Sequence, residues 1–326
     1  MRLILFVICL LLPAAAQAAC EGRDLKGDLP LSIQAELKEA VSNIPYPEGN
    51  HWIATKGNTV LHLVGTLHLN APQMGALVER LTPVLSQADA FYFEVTQDEM
   101  KAWEQRLAAD PSPIMITSGP SLIDIMPEED WATLSAMLTE RGIPSWVAAK
   151  MRPWFLGMML GMPTCMLQDP QADHGLDSRL TDLALEHDIP QYSLESIDDL
   201  MGVFDIYSIE EQAHSLARMV GTYKNSDDQM ATMTKAYFDE QHWQVMELGR
   251  LIAREYSGLS PEEFDKEWSP IEQHLLIERN NNWMLHILSI QDQTAVIAVG
   301  AGHLSGTFGL LNQLHQADYT LERAPF

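Results

Sequence analysis

Cysteine is scarce in this 326-residue chain, with three in all at positions 9, 20 and 165. None stands in a CxxC or Cys-His spacing, which argues against a zinc–thiolate framework. Basic residues are also few, 20 Lys and Arg against 45 Asp and Glu, for a formal net charge of −25. No Lys/Arg cluster interrupts that acidity, which argues against nucleic acid or anionic lipid as a partner. The acidity reads mainly as a solvated surface that could also collect cations. Uncharged runs long enough to span a bilayer are missing, and so is an HExxH metal motif.

The most apolar run lies at the start. Met1-Arg2 is followed by an apolar stretch from Leu3 to Leu12, then by Pro13 and Ala14-Ala15-Ala16-Gln17-Ala18. This layout predicts a secretory signal peptide, residues 1–18, with export to the periplasm or the extracellular space. Cys20 raises the alternative of a lipid anchor. Gln17, however, stands where lipid-attachment signals usually have an aliphatic residue. Cys9 leaves with the signal. Cys20 and Cys165 then fit one disulfide in an oxidising compartment, or two separate buried thiols.

Hydrophobic residues make up 46% of the chain, enough for one large core. Loose alternation over His51–Lys56, a Gly57-Asn58 turn and the run Thr59–Val64 predict a hairpin, and apolar runs predict strands at 90–95, 190–194, 294–300 and near the C-terminus. Helical spacing predicts segments at 72–87, 175–186, 207–256, 271–290 and 304–314. The fold class expected is α/β, mixed α+β: a central, mostly parallel sheet with its first and last core strands adjacent, flanked by helices. Residues 19–326 read as one domain, with a helical insert or lid at about 98–170 and a further helical segment at 207–290.

Two stretches repeat one pattern. Thr59 to His68 is an apolar strand ending in Gly65-x-x-His68, and Thr294 to His303 is another ending in Gly300-x-x-His303. In open α/β sheets, ligands bind beyond the carboxyl ends of the strands, so adjacent strands would bring the two histidines into one crevice. Glu94 closes the run Phe91-Tyr92-Phe93, where an acid is costly unless it is paired or binds a cation. Two histidines and a carboxylate form a known catalytic zinc set, and equally suit manganese, cobalt or iron. Each histidine alone could instead bond an ordinary backbone group.

Arg279 is a fixed cation on an otherwise apolar helix, suited to an oxyanion or to pairing with Glu94, Glu195 or Asp177. Glu195 ends a strand as a candidate general base, an orienting acid or a cap. Gly300-x-Gly302 resembles a nucleotide loop, but the βαβ unit it needs cannot fit in the remaining residues. Ser305 is outside any nucleophile elbow. His51, His62 and His174 have ordinary structural readings. The stretch Met151–Met166 reads as core, or as the lining of a groove for an unfolded peptide.

Taken together, VGTLHLN at 64–70, FYFEV at 91–95, the segment at 175–196, LLIERNNNW at 275–283 and AVGAGHLSG at 298–306 resemble the TraB/PrgY/GumN family. That family is similar to the Tiki metalloproteases and is grouped with the erythromycin esterase and ChaN-like haem-binding proteins. The resemblance implies functional positions at Gly65, His68, Glu94, Arg279, Gly300 and His303, with the glycines beside a bound cofactor. It makes a metal-dependent peptidase the leading expectation. A non-enzymatic binder of haem, metal or peptide and a metal-free, esterase-like hydrolase with a histidine base are the alternatives. The substrate, peptide or small molecule, is left open.

Overall fold

A computed structural model describes residues 22–326 apart from 168 and 170. The predicted signal peptide and Cys20 lie outside the described residues, and with Cys20 the expected bond to Cys165.

Strands β1 (His51–Lys56) and β2 (Thr59–Thr66) form the hairpin, turning at Gly57 with φ +60°. They are followed by β3 (Ala90–Phe93), β4 (Gln191–Ser193), β5 (Thr294–Gly300) and β6 (Thr320–Arg323). All six join one sheet in the order β4-β3-β5-β2-β1-β6. β5 is parallel to both β2 and β3, and β4 is parallel to β3. β1 is antiparallel to β2 and β6. The first and last core strands are thus neighbours, as the sequence predicts.

Register determines where the strands end. Thr66 of β2 lies beside Gly300 of β5, Phe93 of β3 beside Ala298 of β5, and Ser193 of β4 beside Phe93. Four parallel strands therefore release their chains along one edge. β5 reads as a continuous apolar run because both of its faces are covered. Val296 and Ala298 meet Leu77, Leu81 and Leu85 of the helix Met74–Leu85 and Leu176, Leu180 and Ala184 of the helix Leu176–Glu186. Ala295, Ile297 and Val299 meet Trp283 and Ile287 of the helix Arg279–Ile287 and Leu310 and Leu314 of the helix Leu310–Gln316. Each fully buried Leu or Ile contributes about 1.5–3 kcal/mol. This double cover holds the strand ends, and the residues that follow them, in fixed positions.

Residues 97–167 form short helices around a separate apolar core that includes Leu134, Leu138, Leu156 and Leu160, joined by Leu216 of the helix Ile209–Met219. Two expected helices differ from the reading of the sequence. No helix spans 304–314: a single 3-10 turn, Ala301–His303, precedes a loop, and the helix starts at Leu310. Gly306 breaks it, with φ +94° and the Trp243 ring in the space a side chain would need. The segment expected at 271–290 changes winding instead of running as one α-helix. An α-helix ends at Glu272, Gln273–Glu278 is π-wound, and the α-helix resumes at Arg279.

Candidate active site

The shared strand edge gathers the predicted residues. Glu94 follows β3, Glu195 lies just beyond β4, His68 just beyond β2 and His303 just beyond β5. Glu94, His68 and His303 converge on Gly300. A Cβ on that glycine would lie 3.3 Å from Glu94 Oε1, 3.7 Å from His68 Nε2 and 3.7 Å from His303 Cδ2. The Gly300 N–H donates to Glu94 Oε1 at 2.7 Å. Gly65 has a different role, since its Cβ would lie 3.0 Å from Ala301 and from Leu304. Its bareness lets β2 pack against the turn bearing His303.

Arg279 binds the acids together. Its Nη2 donates to Glu94 Oε2 and to Glu195 Oε1, both at 2.6 Å, and its Nε donates to Glu195 Oε1 at 3.0 Å. Nη1 donates to the Leu275 carbonyl at 3.2 Å and lies 3.2 Å from His303 Nε2. The guanidinium rests 4.7 Å from the Trp283 ring centre, a cation–π contact. A buried cation held by two carboxylates is the pairing the sequence calls for, made with Glu94 and Glu195. Asp177 pairs elsewhere.

That residue belongs to His68. Gly175 passes so close to the His68 loop that a Cβ would lie 2.2 Å from the Leu67 carbonyl oxygen, and the Leu176 N–H donates to that oxygen at 3.0 Å. The contact delivers Asp177 Oδ1 to 3.3 Å from His68 Nδ1, leaving Nε2 toward Gly300. Around His303 the partner is an amide. Asn280 Oδ1 accepts from His303 Nδ1 at 2.7 Å. Asn280 Nδ2 donates to the carbonyls of His303 and Phe308, which fixes the amide's orientation and so the tautomer. The Nε2 lone pair of His303 therefore points toward Arg279. Past His303, Ser305 Oγ meets His242 Nε2 and the Tyr46 carbonyl, each at 2.5 Å, which pins the loop.

Charge follows from these partners. Burial lowers the His303 pKa to about 3, opposed by Glu94 and reinforced by the Arg279 charge, so the ring is neutral. Burial would raise Glu94, but its charged neighbours, Arg279 among them, and the Gly300 N–H more than offset it, down to about 2. Glu195 is raised by burial, which its bonds to Arg279 only partly counter. The protein packed around His68 opposes a charge there, but Asp177 and Glu94 outweigh it and raise the pKa to about 9. With 61% of the His68 side chain exposed, solvent screens these contributions.

The donor types suit a divalent metal: two imidazoles with Nδ1 engaged and Nε2 turned inward, and one carboxylate. Thr66, paired with Gly300, adds a buried hydroxyl lacking a protein partner. Among the described residues, however, no three His, Cys, Asp or Glu side chains are gathered closely enough to hold a metal as they stand. The Arg279 guanidinium already engages His303 Nε2 and Glu94.

Residues 50–323 match the TraB/PrgY/gumN family. The chain belongs to that family. Among curated members, YbaP of Escherichia coli K12, described as an uncharacterized protein, is 23% identical over 274 residues, covering 82% of this chain and 94% of YbaP. YbaP of Shigella flexneri matches to the same extent. No solved structure matches. In this TraB/PrgY/gumN-family chain, His51 and His62 bond each other at 3.2 Å, and His174 bonds Ser178, so these rings are engaged outside the cluster around Gly300. The sequence reading missed Asn280. Its place next to Arg279 is a signal, but Asn281 and Asn282 follow it too closely for sequence alone to single it out.

Proposed function

We propose that this chain is an exported, metal-dependent hydrolase acting on peptide bonds. The observation that supports it best is the convergence of His68 Nε2, Glu94 Oε1 and the His303 ring on Gly300, at the ends of three adjacent parallel strands. His68, His303 and Glu94 would hold zinc, manganese, cobalt or iron. When bound, such an ion supplies a water acidic near neutral pH and polarises the scissile carbonyl. Asn280 keeps the His303 lone pair facing inward. Glu195, raised by burial, is suited to hold a proton taken from an attacking water. Arg279, released from His303, would face the developing oxyanion. The signal-like layout of residues 1–18 in the sequence supports export, and an oxidising compartment would favour a Cys20–Cys165 bond. Among the described residues no helix is long and apolar enough to cross a membrane.

One observation favours a second reading, a metal-free hydrolase. The Arg279 guanidinium occupies the His303 lone pair and bonds both carboxylates. With His303 held neutral down to about pH 3, Glu195 is then the better base.

Turnover of a peptide panel and an ester panel by the purified mature chain, before and after chelation and with each metal restored, distinguishes the two. Peptide turnover lost on chelation and restored by one metal supports the first reading. Turnover indifferent to chelator, with no metal retained, supports the second. No turnover of either panel by metal-loaded protein overturns both.

A further inference from the structure

Beside the site lies a cavity of about 620 Å³ that none of the chemistry above uses. It opens between the helix Pro153–Gly161, the helix Ile209–Met219 and the helix Pro261–Glu272 with its π-wound continuation. Trp154, Met158, Phe204, Phe264 and Trp268 dominate its wall. Leu275 closes it on the side of the active site, since the carbonyl of this residue accepts from Arg279. The volume falls within the range of about 300–1,000 Å³ usual for small-molecule sites.

Several polar groups of the wall are already committed. Arg218 pairs with Glu267, and Tyr207 Oη donates to the Glu267 carbonyl at 3.3 Å. Gln212 Nε2 donates to the carbonyls of Phe204 and Tyr207, both at 2.9 Å. Glu211 caps its helix through Ser208. Two wall residues keep polar atoms without a protein partner, Trp154 Nε1 and Gln212 Oε1, and both atoms are closed off from the surface. A peptide backbone entering here would find few partners along the apolar wall, and each N–H or C=O left unpaired costs about 1–3 kcal/mol. A hydrocarbon chain needs none. A free carboxylate would meet Glu211 and Glu267, with Arg218 already paired and His214 the wall's other basic side chain.

We propose that this cavity is a binding site for the acyl chain of a neutral, esterified lipid. The site stands on its own residues and does not depend on the hydrolytic reading.

Trp154 and Trp268 provide the assay. Cis-parinaric acid methyl ester, titrated into the purified mature chain below its aggregation concentration, should quench tryptophan emission by energy transfer and saturate at about one per chain. The free acid should bind at least tenfold more weakly. In a series of monoacylglycerols competing with the ester, affinity should rise about fourfold per added CH₂ until the cavity is full, from the usual ~0.8 kcal/mol per buried CH₂. Ser215→Phe, which fills the cavity, should weaken the ester at least tenfold while leaving the thermal transition cooperative. Met158→Glu, which adds a charge beside the chain, should weaken it independently should Ser215→Phe fail to fold. Absence of saturable transfer, or unchanged affinity in a folded variant of either kind, overturns the proposal. So does displacement of the ester by acetyl-trileucine amide more effectively than by monolaurin, which would make the cavity a peptide site.

Discussion

The two Gly-x-x-His motifs share a sequence pattern and a position on the sheet, yet their histidines are in opposite electrostatic states. His303 is buried and bonded to an amide, and its pKa falls to about 3. His68 stands at the mouth of the crevice against the Asp177 carboxylate, and its pKa rises to about 9. The motif sets where each ring stands. Burial sets the charge of His303, and the carboxylate behind Nδ1 sets that of His68. A repeated motif therefore does not imply repeated chemistry, and between the two rings Arg279 holds Glu94 and Glu195 as carboxylates.

The largest effect expected comes from removing that cation. Arg279→Met leaves two buried carboxylates uncompensated and should destabilise the fold by about 3–5 kcal/mol in urea unfolding. Adding Glu94→Gln and Glu195→Gln to the same chain should restore much of that loss. No recovery would mean that Arg279 acts mainly through packing on Trp283.

Exchanging the partner behind the ring tests the comparison itself. Asn280→Asp places a carboxylate where the His303 Nδ1 partner stands, 2.7 Å away, and should move the His303 titration seen by NMR from about pH 3 to well above 6. Stability should fall by about 1–3 kcal/mol, because the His303 and Phe308 carbonyls lose their donor. A titration unmoved by the exchange would deny the partner its role.

The glycines should separate in the same way. Gly65→Ala forces a methyl to 3.0 Å from Ala301 and should destabilise by about 1–3 kcal/mol without altering the charges at the site. Gly300→Ala meets the Glu94 carboxylate at 3.3 Å, so it should impair ligand binding more than stability. Paired unfolding and binding measurements on the two variants would show whether they separate.

The smallest effect concerns pH. His68 has a folded pKa above its unfolded value, so the stability it adds is fully present below about pH 6.5 and is lost as pH rises through about 9. With the side chain 61% exposed, the loss should be about 0–1 kcal/mol. Glu94 has the opposite sign: its contribution is present above about pH 4.5 and is lost as pH falls toward 2. Asp177→Asn should flatten the alkaline arm of a stability–pH curve and leave the acid arm intact. Flattening of both arms would mean that the two groups are not separable.

Much of this site was legible in the sequence because buried strands read as unbroken apolar runs. The run Thr294–Gly300 and the acid closing Phe91-Tyr92-Phe93 place Glu94 and His303 at strand ends, and a lone cation on a helix with an apolar stripe requires acids near Arg279. What depends on the path of the chain between elements was not legible. Asp177 reaches His68 only because Gly175 lets two loops pass in contact. Asn280, Asn281 and Asn282 are alike in sequence, and only helix phase sets the first against His303. The π-wound turn before Arg279 has no local signature, and the loop after His303 depends on Gly306 meeting Trp243. In Met151–Met166, helix phase sends Leu156 and Leu160 into the core and turns Trp154 and Met158 to the cavity.

The central claim is that both motifs and Glu94 form one metal centre. Its most direct test is the stoichiometry of metal retained by the mature chain after equilibration with Zn²⁺, Mn²⁺, Co²⁺ or Fe²⁺ and exhaustive dialysis, measured alongside His68→Ala, His303→Ala and Glu94→Gln. About one ion per wild-type chain, lost in each folded variant, is the result expected. Wild-type protein that retains none of the four, or a variant that still holds a full equivalent, would contradict it.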